Sequence, residues 1–216
     1  MAENKKRFLL AYREQLQEAD KREKKPSLLL HACCAPCSSA VLEELSKHFS
    51  LQICYYNPNI QPKGEYDLRF SETARLAFAI NPEIKMMDVP YEPEKFLSFA
   101  KEMADLEEGG ARCEKCFALR LFETARMAKE GGFDYFATTL TLSPMKDAAL
   151  LNSLVKAAEE AYGVSYLISD FKKEGGYLYS IRQSEKYALY RQDYCGCIYS
   201  KLQAEKRRKE KRETKG

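Results

Sequence analysis

Apolar residues along the chain alternate between two patterns: short unbroken blocks, and spaced series recurring every three or four positions. Leu28–Leu29–Leu30, set off by Pro26, is a block of strand length, and residues 51–56, 84–89, 133–140 and 164–168 supply four more. The spaced series lie between the blocks. Val41, Leu42, Leu45 and Phe49 mark a helix over residues 38–49, and helical spacing also covers residues 5–23, 65–80 and 113–129. Pro93 opens a helix over 94–106 that Gly109–Gly110 closes, and Ser143–Pro144 opens another reaching residue 161. A short helix is expected over 184–190, and a long charged one starts at Tyr199. Strand and helix alternate with few hairpin signals. That predicts an α/β fold, a three-layer parallel sheet with helices on both faces. In such a sheet, ligands bind beyond the carboxyl ends of the strands. The first strand ends there in His31 and Ala-Cys-Cys-Ala-Pro-Cys, and the fourth in Thr138, Thr139 and Thr141.

Composition narrows the class. The 216 residues suffice for one domain with a real core, and 45% hydrophobic with 31% charged residues fits a globular protein. No apolar run approaches the roughly 20 residues that span a bilayer. Charges interrupt every apolar cluster of the first twenty residues, so no signal peptide is read there, and a reducing cytoplasm is expected. The net charge of +3 is unevenly spread. Residues 1–26 form a charged helical leader, 27–200 an acidic α/β body, and 201–216 a basic helical tail. Basic ends on an acidic body suit a polyanion such as RNA, or merely solvate the helix ends.

The chemistry lies in the cysteines. Seven of the eight form three groups: Cys33, Cys34 and Cys37; Cys113 and Cys116; Cys195 and Cys197. Clustered thiols in a reducing compartment point to metal or redox work. Cys33 and Cys37 can face the same way if a helix has begun between them, whereas adjacent Cys33 and Cys34 are expected to diverge. Four thiolates from Cys33, Cys37, Cys113 and Cys116 would satisfy zinc or a 4Fe-4S cluster equally well by number. Cys34, Cys195 and Cys197 would then hold a second metal ion. Cys195-Gly196-Cys197 can instead close a small strained disulfide. The three-cysteine loop of radical enzymes and the ferredoxin run are both absent.

Taken together, the motifs resemble the epoxyqueuosine reductases of the QueH type. The resemblance rests on LHACCAPC at 30–37, YYNPNI at 55–60, RCEKC at 112–116, TTLTLSPMK at 138–146 and YRQDYCGC at 190–197. It implies a fold similar to the nucleotide alpha-hydrolase superfamily and a 4Fe-4S cluster with a second iron beside it. It implies Cys33, Cys34, Cys113 and Cys116 as cluster ligands, with Cys195 and Cys197 as a redox-active pair. The implied reaction is reduction of epoxyqueuosine to queuosine at the wobble position of tRNA, fed by an external electron donor. The implied partner is tRNA carrying epoxyqueuosine in its anticodon loop.

Around that core, Arg191 is the candidate substrate or phosphate contact, and Asp193 or Tyr194 the candidate proton relay. Tyr55 or Tyr56 could stack on a base and Asn57 or Asn59 read its polar edge, or all four could shape a turn. Arg112 and Lys146 could steady phosphate or sulfide charge, or be ordinary surface residues. His31 reads as a buried histidine, and Cys54 as a core residue. The main rival is a zinc-thiolate RNA-binding protein without catalysis. An ATP-activating tRNA enzyme would want a glycine-rich loop where ACCAPC stands, and that segment contains no glycine.

Overall fold

The computed structural model describes residues 2–213, with side chains described from residue 7 onward; residues 1 and 214–216, the outer ends of the expected leader and tail, lie outside the described residues. Five strands form one sheet: β1 (Ser27–His31), β2 (Ser50–Cys54), β3 (Lys85–Met86), β4 (Tyr135–Thr138) and β5 (Ser165–Tyr166). Their order is β3-β2-β1-β4-β5 and every neighbouring pair is parallel. Among the described residues eight α-helices accompany them: α1 (Ala2–Asp20), α2 (Ala35–His48), α3 (Lys63–Ile80), α4 (Pro93–Ala100), α5 (Ala111–Glu130), α6 (Ala148–Tyr162), α7 (Gly176–Lys186) and α8 (Ile198–Glu213). The expected three-layer α/β fold is present.

The leucine block shows why the sheet is sandwiched. Side chains alternate along a strand, so Leu28 and Leu30 face one layer and Leu29 the other. Leu28 and Leu30 share a core with Val41, Leu42 and Leu45 of α2 and with Leu76 of α3. Leu29 packs with Leu121 and Ala125 of α5 and with Leu151 and Val155 of α6. A strand buried on both faces reads as an unbroken apolar run, and this one does. The leader is not detached from this body: Leu16 and Ala19 of α1 enter the first core. Gln15 also closes the edge beyond β5, donating to the Tyr166 carbonyl at 2.7 Å and accepting from the Ile168 amide at 2.9 Å.

Several boundaries differ from the expectation, each for a local reason. The block at 133–140 stops at Thr138, whose Oγ1 accepts from the Leu140 amide and starts a 3-10 turn over Thr139–Leu142. The helix expected from Ser143–Pro144 starts at Ala148, where the Asp147 carboxylate caps the Ala149 amide at 2.8 Å. The helix expected at 184–190 lies earlier, at Gly176–Lys186. The strand expected at 84–89 shrinks to two paired residues, followed by a stretch that contains Pro90. Among the described residues, no helix is long and apolar enough to cross a membrane.

The strand order creates the site. The chain moves outward from β1 to β2 and β3, then returns to the other side of β1 as β4. A crevice therefore opens beyond the paired ends of β1 and β4, where His31 lies beside Thr138. Replacing Leu29 by Ala should lower the unfolding free energy by about 3 kcal/mol, since a fully buried leucine leaves a cavity. Leu202→Ala, at an exposed position, should change it by less than about 0.5 kcal/mol. Urea denaturation of the two variants checks both.

Candidate metal centre

The turn from β1 into α2 is built around sulfur. Cys34 is the N-cap of α2, with extended backbone angles (φ −173°, ψ 162°), and Pro36 occupies the first turn. The sulfurs of Cys33, Cys34 and Cys37 all lie within 4.8 Å of one another, with Cys33 and Cys34 3.9 Å apart. The expected divergence of Cys33 and Cys34 is thus overturned. Strand alternation ends at a helix cap, where the chain changes direction and both sulfurs turn to the same side. Thr139, beyond β4, closes over the group: its hydroxyl accepts from the Cys33 amide at 3.3 Å and lies 3.6 Å from the Cys33 sulfur.

These thiols do not titrate alike. Hydrogen bonds from Cys34 and Cys37 hold the Cys33 thiol well below its usual range, with Lys146 and Thr139 acting in the same direction. The hydrogen bond to that thiolate pushes Cys34 up to about 12, and Cys37 is driven well above its ordinary value for the same reason. Because these thiols must lose their protons to ligate a metal, metal binding would release protons from this group.

The other four grouped cysteines gather behind this group. Cys113 stands in the first turn of α5, where the Gly109 amide donates to its sulfur at 3.3 Å. Cys116 and Cys197 share a small apolar cluster with Phe96 and Ala100, and burial raises both thiols, Cys116 to about 12. Cys195 instead faces a cavity of about 310 Å³ that Cys33, Cys34 and Cys37 also line. All eight cysteines are free. The disulfide option for Cys195 and Cys197 is not met: the Cys197 sulfur turns to the Ser200 amide and hydroxyl, at 3.4 and 3.5 Å, while Cys195 turns to the cavity.

The sequence reading missed two of the three arginines that matter here. Arg69, Arg112 and Arg120 are among the largest fully buried side chains. Arg69 pairs with Glu65 at 2.7 Å, donates to the Cys195 carbonyl at 3.1 Å and lies 4.9 Å from the Tyr194 ring centroid. Arg112, no surface residue, donates to the carbonyls of Met103, Ala104 and Leu106 and lies over Tyr199. Arg120 donates to the Cys116 carbonyl and to Asn57 Oδ1, and ionised sulfurs at Cys116, Cys195, Cys33 and Cys113 would favour its charge. One signal was available. Arg69 and Arg120 fall on the apolar stripes of α3 and α5, in register with Leu76 and with Phe117 and Leu121.

Buried nitrogens on all three guanidiniums lack any acceptor: Nη2 of Arg69, Nε and Nη2 of Arg112, and Nη2 of Arg120. Unpaired buried donors are costly. Here they lie near thiols, so an anionic metal–thiolate group would supply the missing charge and acceptors. The residues present fit such a group.

The remaining candidates separate cleanly. Arg191, Asp193, Tyr194 and Lys146 all line the cavity. Arg191 is exposed and donates to the Ser184 hydroxyl at 3.0 Å; Asp193 is exposed and 3.6 Å from Arg208. Burial alone would lower the Lys146 ammonium, but the sulfurs of Cys195, Cys33 and Cys37 keep it charged. Tyr55 and Tyr56 are fully buried, so neither can stack on a base. Asn57 is buried too and donates to the Ala32 carbonyl at 2.8 Å, a structural role. Asn59 is buried with its Oδ1 unpartnered. His31 is buried between Thr138 and the Tyr56 carbonyl, and burial with nearby Arg120 lowers it to about 3, so it is neutral. Cys54 is a core residue, as expected.

With this geometry in view, comparison with known proteins is specific. A family model described as epoxyqueuosine reductase QueH matches residues 28–203. The chain belongs to the QueH family. A QueH epoxyqueuosine reductase of Staphylococcus aureus is 43% identical over 185 residues, covering 83% of this chain and 77% of that protein. One from Haemophilus influenzae is 38% identical, covering 92% and 80%, and one from Thermotoga maritima is 35% identical, covering 82% and 91%. The QueH match contains all seven grouped cysteines and ends early in α8.

Gly196 makes the sulfur-bearing loop possible. Its φ of 128° is a glycine conformation, and an added Cβ would lie 2.9 Å from Ile60 and 3.0 Å from the Arg69 guanidinium. Gly196→Ala should therefore cost about 1–3 kcal/mol and reduce bound metal. Gly64→Ala, in the first turn of α3 with open space around it, should be neutral or slightly stabilising. Thermal melting and metal analysis of both variants test this.

Proposed function

We propose that this protein reduces epoxyqueuosine to queuosine at the wobble position of tRNA. Two electrons and two protons convert the cyclopentane epoxide into an alkene and release its oxygen as water. Membership of the QueH family supports the reaction, and the observation that carries it is the cavity at the switch point, walled by four thiols and rimmed by cations. A structural zinc site is closed on all sides. Here the sulfurs of Cys33, Cys34, Cys37 and Cys195 line open space, which favours a reactive centre over the zinc-thiolate RNA-binding alternative.

With Cys33 and Cys34 converging, the proposed cluster ligands are Cys33, Cys34, Cys113 and Cys116, leaving Cys37, Cys195 and Cys197 for a second iron. When bound, a 4Fe-4S cluster with a neighbouring iron supplies single electrons from an external donor and a Lewis acid for the epoxide oxygen. The protein supplies the rest. Lys146 and Arg191 hold phosphate at the cavity rim, and Tyr194, backed by Arg69, offers a ring face to the flipped-out base. Asp193 is placed to pass a proton to the departing oxygen. Free thiols throughout and a tRNA substrate support a reducing cytoplasmic setting.

The direct test is anaerobic turnover of tRNA bearing epoxyqueuosine with a chemical reductant, followed by nucleoside mass spectrometry. Queuosine is the expected product, and unchanged epoxide with fully metallated protein would refute the proposal. Cys113→Ser and Cys116→Ser should each lose most cluster absorbance near 400 nm and essentially all turnover. Cys195→Ser and Cys197→Ser should keep a recognisable cluster spectrum while turnover disappears. If either destroys the cluster as thoroughly as Cys116→Ser, the carboxyl-terminal pair belongs to its coordination.

A further inference from the structure

Helix α8 leaves the site directly, beginning at Ile198, the residue after Cys197. Its root is fixed: Ser200 and Ala204 are buried, and Gln203 accepts from the Glu108 amide at 3.1 Å. Beyond Ala204 every described residue is exposed. Residues 205–213 carry six cations, three glutamates and no apolar side chain, over about 13 Å of helix. A helix polar on all sides gains nothing from packing, and within this stretch an exposed i,i+4 pair, Lys209–Glu213 at 4.0 Å, adds little, so its cations remain available to an anionic partner. Most of it also lies beyond residue 203, where the family match ends.

We propose that α8 is a phosphate-binding arm that holds the tRNA stem next to the base being reduced. The proposal rests on the tRNA reading above. Its first cations stand at the cavity: Arg207 lines it together with Glu108 and Asp193. Arg207 approaches Glu108 at 3.7 Å and Arg208 approaches Asp193 at 3.6 Å, each arginine about half exposed. Such long, solvated pairs contribute little, so phosphates replace them at small cost. A base seated in the cavity brings its flanking backbone past these arginines, and the rest of the arm continues outward alongside the stem. A membrane surface is a poor fit, because an interfacial helix needs an apolar face and this segment has none.

The test compares two variants of the whole, metallated protein. One neutralises the outer arm (Lys206→Gln, Lys209→Gln, Lys211→Gln, Arg212→Gln). The other removes equal charge elsewhere (Lys21→Gln, Lys24→Gln, Lys85→Gln, Lys156→Gln). The arm variant should bind epoxyqueuosine tRNA about tenfold more weakly near 0.15 M salt, with the slope of log Kd against log salt reduced by about 2. KM for tRNA should rise in step. The control variant should stay within about twofold of the parent in both measures, and melting temperatures verify that both are folded. Equal effects of the two variants, or an arm variant indistinguishable from the parent, overturn the arm. So does a loss of binding to anionic phospholipid vesicles without loss of tRNA binding. Should the parent protein itself neither bind nor reduce the tRNA, the functional reading falls and the arm with it; an intact parent with an unaffected arm variant refutes the arm alone.

Discussion

The constraint on which the site depends is an imbalance of buried charge. Three guanidiniums are sealed inside the protein, yet among the described residues only Arg69 has a carboxylate partner, Glu65. Arg112 rests on carbonyls and a tyrosine ring, and Arg120 on one carbonyl, one amide and the Phe117 ring. A buried charge without its counter-ion costs several kcal/mol. Carboxylates do not settle the balance. Sulfur can, once ionised: the groups that would favour the charge of Arg120 are cysteines, and those favouring Lys146 are cysteines as well. The site thus calls for an anion that its own side chains would provide only once their thiols are deprotonated.

The sheet explains how so many thiols reach one place. Reversal of strand order around β1 opens a crevice at the ends of β1 and β4. Cys34 caps the N-terminus of α2 directly after β1, and α5 carries Cys113 in its first turn. The loop before α8 then brings in Cys195 and Cys197, locked by Arg69 against the Cys195 carbonyl and by the Gly196 carbonyl accepting from the Gln61 amide at 3.0 Å. Three segments far apart in sequence converge, and no single motif among them would suffice.

Much of this was legible beforehand. The leucine block announced a doubly covered strand, and the thiol spacings announced the chemistry. The rest depended on tertiary placement. Helix-cap geometry at Cys34 reversed the expected direction of a side chain, and Thr138 cut its strand short by hydrogen-bonding locally. Tyr55 and Tyr56 looked like stacking platforms because they end a strand, yet Tyr55 packs edge-on against Tyr66 and Phe70 and Tyr56 joins the core under α5 and α6. The buried arginines were the largest omission. Arginine is so commonly a surface residue that its position on an apolar stripe passed unread, although that position was visible in the helical spacing.

If the buried cations exist to balance the metal–thiolate group, metal and charge must be thermodynamically coupled. The most direct measurement is anaerobic thermal melting of the parent and of Arg120→Met, each with and without reconstituted iron and sulfide. Binding stabilises the folded state, so iron should raise the melting temperature of the parent clearly, and markedly less in Arg120→Met. An iron-dependent gain of the same size in both proteins would contradict the account and leave Arg120 as an ordinary structural residue.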